Sequence, residues 1–280
     1  SCHILLDSLQ KICLMHGIEV DYYKKLFQTA GNIIELIEKD DIPKYLLFLE
    51  NVFPYMDNYN YQKGMKEIIQ ELKNFLKPKD IGTDSDRALL LDFQATLEIK
   101  PEKAIKLEKD ALAQIENITA DNARLVSNLH ANLGGLYRMN GHPDLAREHM
   151  EKSISLLDQF NLLHINDSIP QIANYAMFLT EQQEPERGIS ELQKLSGIIK
   201  EYHSDDCLDY AKVQETLGTI YLMTANLPQA KTHFKRAFKI YEKIWADEPE
   251  MIEAKYQEIQ ELYPQIGFCI GKNLSGLLTK

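Results

Sequence analysis

The feature that most constrains this chain is a pattern that returns every 42 residues. The segment 133–137 reads Leu-Gly-Gly-Leu-Tyr, and the segment 217–221, two periods later, reads Leu-Gly-Thr-Ile-Tyr. Weaker copies occupy the same register at 175–179 and at 91–95. A unit this short cannot bury an apolar face alone and needs its neighbours. The register therefore predicts an array of at least four equivalent units.

Each unit reads as two amphipathic helices around a tight turn. In the best copy Leu129, Leu133 and Tyr137 share one helical face. Gly141 is suited to the turn that follows, and Pro143 to the first turn of the second helix. The predicted pairs, whose members are called helix A and helix B in chain order, are 84–98 with 101–115, 121–139 with 143–159, 168–181 with 185–201, and 206–224 with 227–245.

The rest of the chain also has helical periodicity, so we expect an all-α fold of about 14 helices. Further helices are predicted at 3–15, 20–38, about 41–55, 62–76, 250–264 and 266–279. The clearest break is Lys77–Gly82. We expect three parts: N-terminal helical pairs at 1–80, four repeats at 81–248 and capping helices at 249–280.

The Leu-Gly-x-x-Tyr motif, followed nine residues after Tyr137 by the small residue Ala146, resembles the tetratricopeptide repeat (TPR). The 42-residue period, with Asn132 before Leu133, resembles the kinesin-light-chain type and related repeats of bacterial signalling proteins. The resemblance implies a right-handed α-solenoid of antiparallel helix pairs. It also implies a concave groove, lined by the A helices, that binds a peptide or protein.

Two asparagines are the leading candidates for ligand contacts. Asn132 and Asn174 occupy equivalent sites on successive A helices. An amide offers a donor and an acceptor, and members of the resembled family use a row of asparagines to bind the backbone of an extended peptide. The alternative is a structural amide that bonds the adjacent helix. Further candidates on the same predicted face are Asn128, Arg138, Met177, Lys212, Glu215 and Thr219.

Composition and motifs exclude several other classes of function. The formal net charge of −11 argues against a general binder of nucleic acid or anionic membranes. No apolar run reaches the roughly 18 residues of a membrane span. Four cysteines without C-x-x-C spacing indicate a reducing, cytoplasmic compartment. The sequence lacks phosphate-binding glycine loops and metal-ligand motifs, so we expect no enzyme activity, no cofactor and no metal.

Two functional hypotheses follow. The first is a protein- or peptide-binding scaffold or sensor module within a larger signalling protein. The second is a peptide-responsive regulatory domain of a bacterial transcriptional or ATPase regulator. The chain begins Ser1-Cys2-His3, already in helical pattern, and we expect it to be a piece of a longer protein.

Overall fold

The computed structural model describes residues 29, 32, 36, 41, 42, 44–46, 48, 49, 62–75, 82–165 and 168–262. Within them the chain forms ten helices of defined extent and no strand. These are α1 (Gln62–Phe75), α2 (Asp84–Thr96), α3 (Pro101–Leu112), α4 (Ala123–Met139), α5 (Pro143–Gln159), α6 (Ser168–Glu181), α7 (Pro185–Tyr202), α8 (Leu208–Met223), α9 (Leu227–Ile244) and α10 (Pro249–Leu262).

The predicted all-α fold is confirmed for this part of the chain, and the four predicted pairs correspond to α2/α3, α4/α5, α6/α7 and α8/α9. The helices predicted at 3–15 and 266–279 lie outside the described residues, and those at 20–38 and 41–55 are described only at single residues. The number of about 14 helices, the right-handed superhelix and the three-part division therefore stay predictions.

Three of the turns from helix A to helix B share one geometry. The N–H of the residue after the turn donates to a carbonyl five residues earlier, which is the Schellman arrangement that ends a helix. These bonds are His142 N to Tyr137 O at 2.9 Å, Glu184 N to Leu179 O at 2.8 Å and Asn226 N to Tyr221 O at 2.7 Å. The residue before each donor has a positive φ: 76° at Gly141, 66° at Gln183 and 58° at Ala225. The 42-residue period is thus present in the backbone as well as in the side chains.

The helix starts follow the sequence signals. Pro101, Pro143 and Pro185 are the first residues of α3, α5 and α7, where their fixed φ suits a helix and no donor is lost. Thr83 forms a capping box with Asp86 at the start of α2, which satisfies two otherwise unpaired N–H groups.

The chain divides into two units, residues 1–146 and 147–280, each with its own core. In the N-terminal unit α2, α3 and α4 contribute Ala88, Ala111 and Leu129, whose side chains meet in a small buried cluster. In the C-terminal unit a larger cluster runs from α6 to α10 and includes Phe234 and Tyr241. Full burial of one such side chain stabilises the fold by roughly 1.5–3 kcal/mol.

Small residues set how closely helices A and B approach in the C-terminal unit. A Cβ added to Gly188 would lie 2.6 Å from the backbone oxygen of Ala176. A Cβ added to Gly218 would lie 2.9 Å from the ring of Phe234. Both distances are shorter than carbon contacts allow, so these glycines are required by packing. The predicted small-residue positions therefore coincide with the tightest contacts of the pairs.

Candidate ligand-binding residues

Three predicted contact residues lie on α4 of the N-terminal unit. Asn128 and Arg138 are half-buried, whereas Asn132 is exposed. The Asn132 Nδ2 donates a hydrogen bond of 2.8 Å to Oδ1 of Asp92 on α2. The structure therefore shows the structural alternative at this residue, since its amide bonds the preceding helix A. Among the described residues its carbonyl oxygen accepts no hydrogen bond.

Asp92 is one member of a pair of carboxyl groups that the sequence reasoning missed. Its side chain is half-buried and hydrogen-bonded to Glu108 of α3, which is only 2% exposed. The second carboxyl oxygen of Glu108, Oε2, is buried without a hydrogen-bond partner. A buried acceptor left unpaired costs about 1–3 kcal/mol. The pair is therefore a local departure from an otherwise apolar helix interface.

Burial and mutual charge make this pair hold a proton. Burial, and next the negative charge of Asp92, raise the pKa of Glu108 to about 10. Burial also raises the pKa of Asp92 above its ordinary value, against the lowering effect of its hydrogen bonds with Glu108 and Asn132. At neutral pH the two carboxyls together carry one proton and one negative charge.

The 42-residue register shows how unusual this pair is. Asp92 occupies the small-residue position of helix A, and Glu108 occupies a large apolar position of helix B. The equivalents of Asp92 in the next three repeats are Gly134, Ala176 and Gly218, and the equivalents of Glu108 are Met150, Leu192 and Phe234. In α8 and α9 that position pair is a glycine covered by a phenylalanine ring. Comparing polar as well as apolar residues across the register would have revealed the exchange.

In the C-terminal unit the predicted residues have different environments. Asn174 is exposed on α6, and its amide forms no hydrogen bond among the described residues. Met177 is half-buried and packs against the core. Lys212 is exposed and lies 3.9 Å from Asp209, one turn earlier on α8, while Thr219 is half-buried. Asn174 and Lys212 thus keep polar groups at the surface of their A helices.

Glu215, by contrast, ties three helices together. The Tyr241 hydroxyl on α9 donates to Glu215 Oε2 at 2.6 Å. Lys255 of α10 places its Nζ 2.9 Å from Oε1. Both carboxylate oxygens therefore have partners from this chain, and the contacts give Glu215 a structural role in the C-terminal unit.

A buried amide joins the next helices in the same way. Gln214, 1% exposed, has its Oε1 at 2.9 Å from His233 Nδ1 and accepts from Arg236 at 3.3 Å. The His233 ring stacks on Tyr221, with 5.2 Å between ring centroids. Burial, and next the charge of Arg236, lower the pKa of His233. This cluster holds α8 against α9.

The described part of the chain contains no group of three or more His, Cys, Asp or Glu side chains arranged to hold a metal ion. None of its helices is long and apolar enough to cross a membrane.

Comparison with known proteins identifies the repeat type. The family model described as tetratricopeptide repeat matches residues 168–243, which span α6 to α9. No curated protein sequence matches the chain. The sequence-based resemblance to tetratricopeptide repeats is thereby confirmed for these residues.

Solved structures similar to this chain are repeat proteins of the same type. BtubC (BKLC) from P. vanneervenii has 19% identity and a TM-score of 0.54, with 65% of this chain and 72% of that chain covered. A putative kinesin light chain from Podosopora anserina, with nearly identical TPR-like repeats, has 13% identity and a TM-score of 0.54, with 70% and 96% covered. A second crystal structure of that kinesin light chain gives a TM-score of 0.56 at 13% identity, with 71% and 96% covered. At these identities the similarity establishes the fold, which is that of kinesin-light-chain-like TPR proteins.

Proposed function

We propose that this chain, whose residues 168–243 belong to the tetratricopeptide repeat family, is a protein-binding module that holds an extended peptide segment of its partner against the A helices. Repeat arrays of paired helices bind partners through extended surfaces. A role in a larger signalling protein, in the cytoplasm, is part of the same proposal.

The observation that carries the proposal is Asn174. Its amide is exposed on helix A of a confirmed repeat, and it forms no hydrogen bond within the described chain. An amide in this position offers one acceptor and two donors to a peptide backbone. An exposed amide gains little for the fold, whereas each hydrogen bond to a ligand contributes about 0.5–1.5 kcal/mol.

The charge of the protein indicates the kind of partner. The chain has 42 acidic against 31 Lys and Arg residues, and an acidic surface accelerates association with basic partners. We therefore expect basic peptides to be enriched among ligands.

The test is capture of peptides from a random-sequence array by the 280-residue chain and by two matched amide variants. Asn174→Ala removes the amide on helix A, and Gln193→Ala removes an exposed amide on α7, the helix B of the same pair. We expect Asn174→Ala to weaken capture about 3- to 10-fold and Gln193→Ala to leave it unchanged. Equal capture by all three proteins would contradict the proposed surface.

A further inference from the structure

The carboxyl pair of the first repeat is the feature that folding alone explains least. The other repeats show that this interface accepts a small residue facing Met, Leu or Phe, and that solution has no buried charge to desolvate. Replacing buried ionisable groups by apolar residues of similar size is often neutral or stabilising. Positions where a chain departs from its own consistent local solution are candidates for function.

The pair also lacks a counter-charge. No Lys or Arg forms an ion pair with Asp92 or Glu108 anywhere in the described part of the chain. The negative charge is held only by neutral groups, namely the shared proton and the amide of Asn132. A charge this poorly compensated by its own protein is a strong acceptor for a cation from outside.

The geometry leaves one side of the pair accessible. Glu108 lies at the inner end, with Oε2 unpartnered and buried. Asp92 is half-buried above it, and the exposed Asn132 forms the outer rim. The Asn132 carbonyl, which accepts no hydrogen bond among the described residues, lies on the same amide that donates to Asp92. Two acceptors, one charged and one neutral, therefore adjoin at the surface.

We propose that Asp92, Asn132 and Glu108 form a recognition site for a cationic side chain, a lysine ammonium or an arginine guanidinium, carried by the partner peptide. The cation binds the Asp92 carboxylate and the Asn132 carbonyl, and protonated Glu108 supports Asp92 from below. This inference rests on the proposed function and adds a specificity to it.

The experiment compares binding of peptides that differ only in charge. Peptides captured by the 280-residue chain are resynthesised with each Lys replaced by acetyl-lysine and each Arg by citrulline, and Kd is measured by fluorescence anisotropy. Loss of the recognised charge should weaken binding about 10-fold or more, because hydrogen bonds to charged groups are worth about 1.5–3 kcal/mol.

Two variants and one control locate the effect. Asp92→Asn removes the charge at constant size, and Asp92→Ala/Glu108→Leu installs the Ala176/Leu192 combination of the third repeat. Asp110→Asn, at an exposed position of α3, removes the same charge elsewhere. We expect the first two variants to fold normally by circular dichroism and to lose the preference for the cationic peptide. Asp110→Asn should keep it.

The outcomes separate this inference from the proposed function. Capture of peptides without any dependence on Lys or Arg, or an undiminished preference in Asp92→Asn, would overturn the cation site and leave the module intact. Failure to capture any peptide would overturn both.

Discussion

Glu108→Gln is the most direct test of the buried carboxyl pair. Glutamine has nearly the same shape and can donate the hydrogen bond that protonated Glu108 donates to Asp92, but it does not titrate. The substitution therefore keeps the packing of α2 against α3 and removes one proton equilibrium. Any change in the pH dependence of stability then reports on that proton.

The sign and size of the effect follow from the raised pKa. Glu108 has an ordinary pKa of 4.5 and a folded pKa of about 10, so between these values the folded protein holds a proton that the unfolded chain has released. Stability is therefore fully present below about pH 4.5 and is lost as pH rises towards about pH 10. The slope is about 1.4 kcal/mol per pH unit, which amounts to roughly 3 kcal/mol between about pH 5 and pH 7.

The assay is urea unfolding at pH 5, 6, 7 and 8, followed by circular dichroism, for wild type and variant. The single tryptophan, Trp245 at the end of α9, lies in the other unit and does not report on α2 and α3. Hydrogen exchange of peptides from 84–96 and 101–112 supplies a local measurement. We expect wild-type stability to fall with pH and that of Glu108→Gln to change much less.

The slope decides the matter, because the second N–H of a buried glutamine lacks a partner and costs a similar free energy at every pH. Glu102→Gln, at an exposed position of the same helix, is the control and should behave like wild type. Parallel curves for wild type and Glu108→Gln would refute the shared proton.

Two further predictions concern the C-terminal unit. Gly188→Ala should destabilise it by about 1–3 kcal/mol because the new Cβ would press on the backbone of Ala176. Gly197→Ala, on the same helix with nothing within 4 Å, should stabilise by up to about 1 kcal/mol; urea unfolding followed by the single tryptophan measures both, and equal effects would contradict the packing argument. His233 has a lowered pKa, so its contribution is present above about pH 6.5 and is lost as pH falls through the folded pKa. His233→Phe should keep the ring beside Gln214 and flatten the fall in melting temperature between about pH 7 and pH 5.5, and an unchanged fall would show that another group titrates.

The sequence was sufficient for the helix pairs because their signals are local. Apolar periodicity and the prolines at 101, 143 and 185 predicted the helices. The turns were predicted less completely. Gly141 was expected to take a positive φ, whereas Gln183 and Ala225 do so without a glycine. The recurring hydrogen bond across the turn stabilises that conformation in all three, and a repeated backbone bond is visible only in the structure.

The candidate site was harder to predict because it depends on contacts between helices. Asn132 was selected for its equivalence to Asn174, yet one amide bonds a neighbouring helix and the other is exposed without a partner among the described residues. The difference arises from Asp92, one period earlier, where the chain has exchanged a small residue for an acid. Glu215 likewise lies on the expected helix, but Tyr241 and Lys255 use its carboxylate.

The first repeat departs from the others in its turn as well as in its helix interface. Ile99, at the place of Gly141, is not among the residues with positive φ, and its side chain is 84% exposed. The three later repeats keep one turn geometry and, at the position pair of Asp92 and Glu108, a small residue with a large apolar one. Divergence of one repeat at two independent positions is poorly explained by a need for stability, which the shared solution already serves. It is well explained if the first repeat supplies specificity while the others supply the scaffold, and this is why cation dependence of binding is the property that most sharply distinguishes the two accounts.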